Sequence, residues 1–387
     1  MLTQVITTNT SHRVHRIAVG AIFFLAGLCF ASWASRIPTI QNNLSLSETS
    51  LGMVLLALPV GLMISLPFSG WIITKLGSRL IATISSIIYG SLLVALGLSQ
   101  NVYQLVVSLF LFGFAGNMLN ISVNTQAVGV EALYKRPIMA SFHGIWSLAG
   151  FSGAAIGTLM LALHLVPYEH FLIIFAFVLA IIFISNRFIL NEDVNSDSKQ
   201  PLFAKPDKSL INLGIIAFCC MICEGTMFDW SGVYFKKVVH AEGAWIGAGY
   251  SAFMITMASG RFVADYFTHR FGLKKIMQFS GVLIAAGLLL AVILPQLLTA
   301  LIGFLLVGFG VSSVVPLIYS EAGKSKTMSP GVALAAVSTI GFLGFLSGPP
   351  LIGLVAGATS LKISFLIIAF MGLSVSIIAS KSKSLGK

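Results

Sequence analysis

The stretch Lys75-Leu76-Gly77-Ser78-Arg79 recurs 195 residues later as Arg270-Phe271-Gly272-Leu273-Lys274. Gly113-Phe114 recurs at the same offset as Gly308-Phe309. Because this offset is about half of the 387 residues, the sequence predicts two similar halves. Each half carries about six long apolar segments, so the repeated unit is predicted to be a bundle of membrane-spanning helices.

The composition supports a membrane protein. Hydrophobic residues make up 57% of the chain and charged residues 9%, whereas soluble domains contain about 25% charged residues. We therefore predict an all-α membrane protein with twelve transmembrane helices in two pseudo-symmetric six-helix bundles. The predicted spans lie near residues 17–36, 48–73, 80–98, 102–130, 138–165, 168–189, 209–238, 243–267, 276–294, 297–320, 330–357 and 361–380.

A charged segment divides the two predicted bundles. Seven of the nineteen residues from 190 to 208 are charged, and the segment also contains Pro201 and Pro206. This composition is typical of a solvated linker. We expect an N-terminal bundle at 1–189, a cytoplasmic linker at 190–208 and a C-terminal bundle at 209–387.

The basic residues predict the orientation in the membrane. Of 23 Lys and Arg residues, nineteen fall in the termini and in every second loop. The other four are Arg36, Lys236, Lys237 and Lys362. The positive-inside rule then places both termini in the cytoplasm, as expected for a multi-pass protein of the bacterial inner membrane. No basic stretch is interleaved with aromatic residues, so nucleic acid is not an expected partner.

Two acids are the strongest functional candidates, because ionisable groups inside a membrane are costly. Of twelve acidic residues, only Glu224 and Asp229 lie well inside a predicted span. Counted from residue 209, Glu224 lies roughly 22 Å along the helix, near the bilayer midplane. Either acid could carry a proton or contact a solute. The alternative is a structural hydrogen bond to a neighbouring helix.

Polar and aromatic residues in the spans are candidates for a solute cavity. Asn117, Asn120 and Asn124 recur at helical spacing and form one polar stripe, although amides also hold membrane helices together. Arg36 ends the first predicted span, where it would extend to the surface or bind an anion. The predicted cavity residues are Trp33, Asn117, Asn120, Asn124, His143, Trp146, Trp230, Tyr234 and Tyr319.

The chain resembles the major facilitator superfamily. Its signature loop appears as Gly70-Trp71-Ile72-Ile73-Thr74-Lys75-Leu76-Gly77-Ser78-Arg79, echoed by Gly260-Arg261-Phe262-Val263-Ala264-Asp265. It is further similar to the bacterial YbjJ-like branch, distantly allied to fucose permeases. That likeness rests on the stretches 30–38, 141–147, 224–234 and 346–351.

The resemblance implies that the first, fourth, seventh and tenth spans line a central cavity. It also implies gating loops on the cytoplasmic side, with Asp265 paired to Arg261. An acid usually stands at the position of Thr74, and the branch commonly has an aspartate at the position of Asn120. The implied gating residues are Gly70, Lys75, Gly77, Arg79, Arg261, Asp265, Arg270 and Gly272.

We therefore expect a secondary transporter that moves a small polar solute, with sugar-like molecules as candidates, by alternating access, with protons as the coupling ion. The alternatives are an exporter of amphipathic compounds and a membrane receptor or scaffold that does not transport. No metalloprotease or serine–histidine motif is visible, so an enzyme is not expected. No metal or cofactor is expected either. The expected partners are the solute and the lipid bilayer, and the expected state is a monomer.

Overall fold

A computed structural model describes residues 11–134, 138–193, 208–322, 325 and 330–382, apart from some side chains within the helices. The secondary structure of this part of the chain is helical. The helices are α1 (His12–Asn43), α2 (Glu48–Leu55), α3 (Ala57–Leu76), α4 (Ser78–Leu98), α5 (Val102–Tyr134), α6 (Met139–Ala162), α7 (Pro167–Ser185), α8 (Lys208–Lys237), α9 (Trp245–Phe271), α10 (Leu273–Ile293), α11 (Leu297–Ser312), α12 (Val314–Ala322), α13 (Pro330–Ala358) and α14 (Leu361–Lys381).

In the described part of the chain these helices form twelve spans, because two spans are each broken into two helices. The second span breaks between α2 and α3 at Leu56, three residues before Pro59, and the tenth breaks between α11 and α12 at Ser313, three residues before Pro316. A proline lacks the N–H that a helix needs, and its ring clashes with the carbonyl four residues earlier. In the described ranges, 11 spans are long and apolar enough to cross a membrane. The remaining span, α9, is less apolar and contains Arg261.

The two halves repeat the same geometry at the positions where the sequence repeats. Gly77 joins α3 to α4 with φ +79°, and Gly272 joins α9 to α10 with φ +82°, a backbone conformation that favours glycine. Gly113 packs directly on the backbone of Leu58, and Gly308 packs in the same way on Phe253. The repeated glycines therefore serve one loop and one close helix crossing in each half.

The halves meet along two unequal seams, and α1 also contacts α8. Along the first, α6 packs on α9 at both ends of the helices, with Gly247 against Thr158 and Gly144 against Phe262. Along the second, α13 packs on α2 but makes few contacts with α3. The second seam is therefore closed only at the end that lies away from the chain termini. We call the membrane side that holds the termini the terminal side, and the other the distal side.

A compact seal closes the distal side. Gly52 and Gly353 bring the backbones of α2 and α13 together, and a Cβ atom on Gly353 would lie 2.6 Å from the carbonyl oxygen of Glu48. The Thr49 hydroxyl donates to the Gly353 carbonyl at 3.2 Å. Lys237 Nζ lies 2.6 Å from Glu48 Oε1, which joins α8 to α2. We call this group the distal seal.

Candidate functional site

A cavity of about 750 Å³ lies between the two halves. Its wall includes α1, α5, α8 and the α11–α12 span, and also α3, α6, α9 and α13. The lining extends towards the terminal side, where Val123, Ser141 and Ala264 contribute, while the distal seal closes the opposite end. A volume of this size suits a small organic molecule.

Glu224 lies in the cavity wall and pairs with a residue of a neighbouring helix. Glu224 Oε1 on α8 is 3.5 Å from Arg261 Nη2 on α9. Arg261 Nη1 donates to the Ser147 hydroxyl at 2.5 Å, and Ser147 belongs to α6 of the other half. A buried carboxylate needs such a partner because an unpaired charge is strongly disfavoured away from water. One chain of contacts therefore joins an acid, a cation and both halves.

Asp229 also lines the cavity, five residues further along α8. Tyr250 of α9 lies within electrostatic range of both Asp229 and Glu224. The Tyr250 hydroxyl is buried and has no hydrogen-bond partner among the described residues. Asp229 therefore has different surroundings from Glu224, because Arg261 contacts Glu224.

The asparagines of the stripe partly line the cavity and partly hold helices together. Asn117 and Asn120 line the cavity, and Asn120 is exposed to it. Asn117 also donates to the Ser65 hydroxyl at 2.6 Å, which ties α5 to α3. The Asn124 amide instead donates to the Asn120 backbone carbonyl at 2.7 Å, and Asn124 lies outside the lining. Both alternatives considered for the stripe therefore occur.

Three predicted cavity residues line the wall from two sides. His143 and Trp146 project from α6, and Tyr319 projects from α12. The His143 ring meets the ring of Phe23 edge-on, with centroids 5.6 Å apart. Their position fits a solute cavity, and a role in binding stays a prediction.

Three other predicted cavity residues lie away from the cavity. Trp33 and Trp230 are 1% and 0% exposed and pack in the helical core. Tyr234 is 0% exposed, and its hydroxyl donates to the Ala291 carbonyl at 2.9 Å. Each lies on a span that does border the cavity, but its side chain points to other helices. We correct the prediction that these three side chains form the cavity.

Arg36 does not extend to the surface, which was one of the two alternatives considered for it. Helix α1 continues past Pro38 to Asn43, so Arg36 lies well inside the helix, and the residue is 1% exposed. Its Nε donates to His170 Nδ1 on α7 at 3.2 Å, while Nη2 has no partner among the described residues. The predicted end of the first span was therefore too early.

The residues of the predicted gating loops contact their own half or the start of the linker. Arg79 donates to the Asn186 carbonyl at 2.5 Å, and the Ser78 backbone N–H donates to Asp193 at 2.8 Å. In the second half, Arg270 donates to the Tyr266 hydroxyl at 3.2 Å. Lys75 lies over the ring of Trp71, and Gly77 and Gly272 form the turns described above. These contacts fix the loops locally.

The other predicted gating residues are Gly70, Asp265 and Arg261. The prediction for Gly70 and for the Asp265 carboxylate, with its pairing to Arg261, falls outside the described side chains. Arg261 itself is not in a loop, because it lies on α9 and lines the cavity. The sequence held the signal that was missed: Arg261 is an ionisable residue inside the span predicted at 243–267.

Comparison with known proteins identifies the class. The sequence pattern of the Major Facilitator Superfamily matches residues 19–329 and, as a second match, 242–382. An uncharacterized MFS-type transporter of Yersinia pestis is 31% identical over 360 residues, which covers 93% of this chain and 94% of the relative. The chain belongs to the Major Facilitator Superfamily, as its resemblance predicted, and is a multi-pass membrane transporter rather than an enzyme.

Solved structures agree on the fold. The nucleoside transporter NupG superposes with a TM-score of 0.74 at 16% identity and covers 95% of this chain and 98% of its own. The E. coli fucose:proton symporter FucP superposes with a TM-score of 0.62 at 16% identity, over 96% of this chain and 99% of its own. The predicted all-α fold with two six-helix bundles is confirmed.

Proposed function

We propose that this transporter moves a small polar solute by alternating access, coupled to protons. In this proposal the bundles at 1–189 and 209–387 move against each other, joined by the linker 190–208. The excess of basic residues on the terminal side supports a cytoplasmic location for both termini. The described conformation is then the inward-open one, in the inner membrane of a bacterium. The monomer remains the expected state.

The observation that carries this proposal is a pair of acids in a cavity between two bundles. Glu224 contacts the cation Arg261, whereas no described side chain forms an ion pair or hydrogen bond with Asp229. A carboxyl group that loses its partner or its water favours the neutral form, so each acid can bind and release a proton as its surroundings change. Motion between two states changes those surroundings, which would link proton transfer to solute movement.

The lining supports a solute with hydroxyl or similar groups. Asn117 and Asn120 supply both donors and acceptors, and Trp146 and Phe30 offer flat apolar faces. Sugars present this combination of polar edges and an apolar face. NupG and FucP share the fold and are by name a nucleoside transporter and a fucose symporter, which supports testing hydroxyl-rich solutes first.

Transport in proteoliposomes tests the proposal. A thermal-shift screen against sugars, organic acids and drugs first finds a solute that stabilises the protein by mass action. Accumulation of that solute is then measured with and without an imposed proton gradient. We expect Glu224→Gln and Asp229→Asn each to abolish gradient-driven accumulation while leaving exchange of labelled for unlabelled solute. Glu242→Gln, which changes an exposed acid of the α8–α9 loop, is the matched control.

Accumulation that is unchanged in both single variants would remove the coupling role of these acids. Specific solute binding without flux would favour the receptor or scaffold alternative instead.

The aromatic wall favours a second candidate, an exporter of amphipathic compounds. Phenylalanines contribute to the lining from several helices, among them Phe23, Phe112, Phe228, Phe342 and Phe345. Such a wall binds apolar bodies through burial of surface. A strain that lacks the protein would then become more sensitive to amphipathic drugs, whereas an importer predicts no such change.

A further inference from the structure

Arg261 is the permanently charged cation in the cavity wall, among the side chains that the structure describes there. Its side chain keeps 20% of its surface exposed, so a molecule in the cavity can reach it. Its position is set by α9, the span that packs against α6 of the other half. The cavity therefore presents one positive charge beside Glu224, with Asp229 elsewhere in the same wall.

The contacts of Arg261 with the described side chains leave several of its N–H donors unused. A guanidinium carries five N–H donors in a planar fork that matches a carboxylate or a phosphate. Ser147 accepts one bond at 2.5 Å, while Glu224 stands at 3.5 Å, the outer limit of a hydrogen bond. Nε is buried without a partner among the described residues. Glu224 thus neutralises the charge of Arg261 without occupying all the N–H donors of its guanidinium.

We propose that Arg261 binds an anionic group of the solute, so that the transported molecule is a hydroxylated organic acid rather than a neutral sugar. This inference rests on the proposed function and narrows its solute class. A carboxylate entering the cavity would accept the free N–H groups of Arg261, while the amides of Asn117 and Asn120 face the polar remainder. Ser147 would position the guanidinium from the other half.

The same geometry makes Glu224 a competitor of the solute. An ionised Glu224 repels an incoming carboxylate and already neutralises Arg261, whereas a protonated Glu224 does neither. Solute anion and proton would therefore bind together, and each would raise the affinity of the other by the same factor. The groups facing this site are Arg261 and Tyr250 of α9, Tyr319 of α12, Cys220 and Asp229 of α8, and His143 of α6.

The test compares matched solutes that differ only in the anionic group. Thermal shifts of the full-length protein are measured with galacturonate against galactose, and with gluconate against sorbitol. We expect at least one acid to stabilise the protein and its neutral counterpart to bind about tenfold more weakly or worse, since a hydrogen bond to a charged group is lost. Arg261→Gln should remove this preference, and Arg261→Lys should restore part of it.

Two further variants separate a binding role from a structural one. Lys275→Gln changes an exposed cation of the adjacent helix α10 and should leave the preference intact. Glu224→Gln should make binding of the acid nearly independent of pH between 5 and 8, whereas the unchanged protein should bind it more tightly at pH 5. A loss of folding cannot produce that second result.

Three outcomes are decisive. A neutral partner that binds as well as its acid, unchanged in Arg261→Gln, overturns the inference and leaves the proposed transport of polar solutes intact. Equal preference in Arg261→Gln and the unchanged protein overturns the role of Arg261. If none of the four solutes stabilises the protein, a hydroxylated solute is ruled out. Both this inference and the sugar-like form of the proposed function are then overturned.

Discussion

Substitution of Gly353 by alanine should open the distal side of the protein. The added Cβ atom would lie 2.6 Å from the Glu48 carbonyl oxygen and 2.8 Å from the Gly52 Cα atom. Both neighbours are backbone atoms, so α2 and α13 must separate to relieve the overlap. Overpacking of this kind costs about 1–3 kcal/mol. Because the overlap exists only while the seal is closed, the ratio of open to closed protein should rise about 5- to 150-fold.

The assay is a distance measurement across the seal. Spin labels are placed at Ser47 and Thr359, two exposed positions at the distal ends of α2 and α13, in a protein whose four buried native cysteines are replaced by alanine. Pulsed electron resonance then gives the distance distribution. The parent should show one short distance, and Gly353→Ala should add a longer one.

The control is an alanine in the same helix without a close neighbour. A Cβ atom on Gly348 would lie 3.5 Å from its nearest neighbour, a side-chain atom of Ile222, which is an ordinary contact. Gly348→Ala should therefore keep the short distance. Any gain in helix propensity, up to about 1 kcal/mol, is the same in Gly348→Ala and Gly353→Ala. Gly344→Ala would strike the Phe218 carbonyl within the second half, so it should lower the melting temperature without opening the seal. Identical distance distributions for Gly353→Ala and Gly348→Ala would refute the reasoning.

Three smaller changes test other contacts. Lys237→Gln removes the partner of Glu48 in a partly exposed ion pair, so the same distance assay should show a gain in the open form of at most about fivefold, as expected for about 0.2–1 kcal/mol. Tyr234→Phe should lower the stability by about 1 kcal/mol in a thermal unfolding experiment, because the bond to the Ala291 carbonyl is lost, and should leave solute affinity unchanged. Arg36→Met should leave the melting temperature unchanged or higher, since an apolar side chain of similar length replaces a buried charge that has no acidic partner among the described residues; a large fall would show that the arginine stabilises the fold.

The repeat in the sequence was enough to predict the fold. The offset of 195 residues relates loops that adopt the same turn, at Gly77 and Gly272, and close crossings at Gly113 and Gly308. These features are local, because a turn or a close approach depends on whether glycine stands at that one position. The number of spans followed from length and hydropathy in the same way.

The direction of side chains within a span was harder to predict. Trp33 and Trp230 lie on cavity-bordering helices yet point into the core. A helix that is apolar on all sides gives no periodic signal of which face meets lipid, core or cavity. Only the packing of neighbouring helices decides this, and that packing depends on contacts distant in sequence.

Charged residues were misplaced for a related reason. Arg36 was expected at a helix end because the apolar run stops there, but α1 continues through Pro38. Arg261 was assigned to a loop because its neighbours match a loop motif, although the helix extends to Phe271. In both cases the helix continues beyond a charged side chain, because neighbouring helices supply its surroundings.

The two seams between the halves differ, and this difference has a consequence for kinetics. Since α6 packs on α9 while α3 makes few contacts with α13, we expect the flank between α3 and α13 to border acyl chains as well as water. An amphipathic substrate, as in the exporter candidate, can concentrate in the surrounding leaflet before it enters. Apparent Michaelis constants should then vary with lipid composition and with vesicle concentration, even when the protein itself is unchanged.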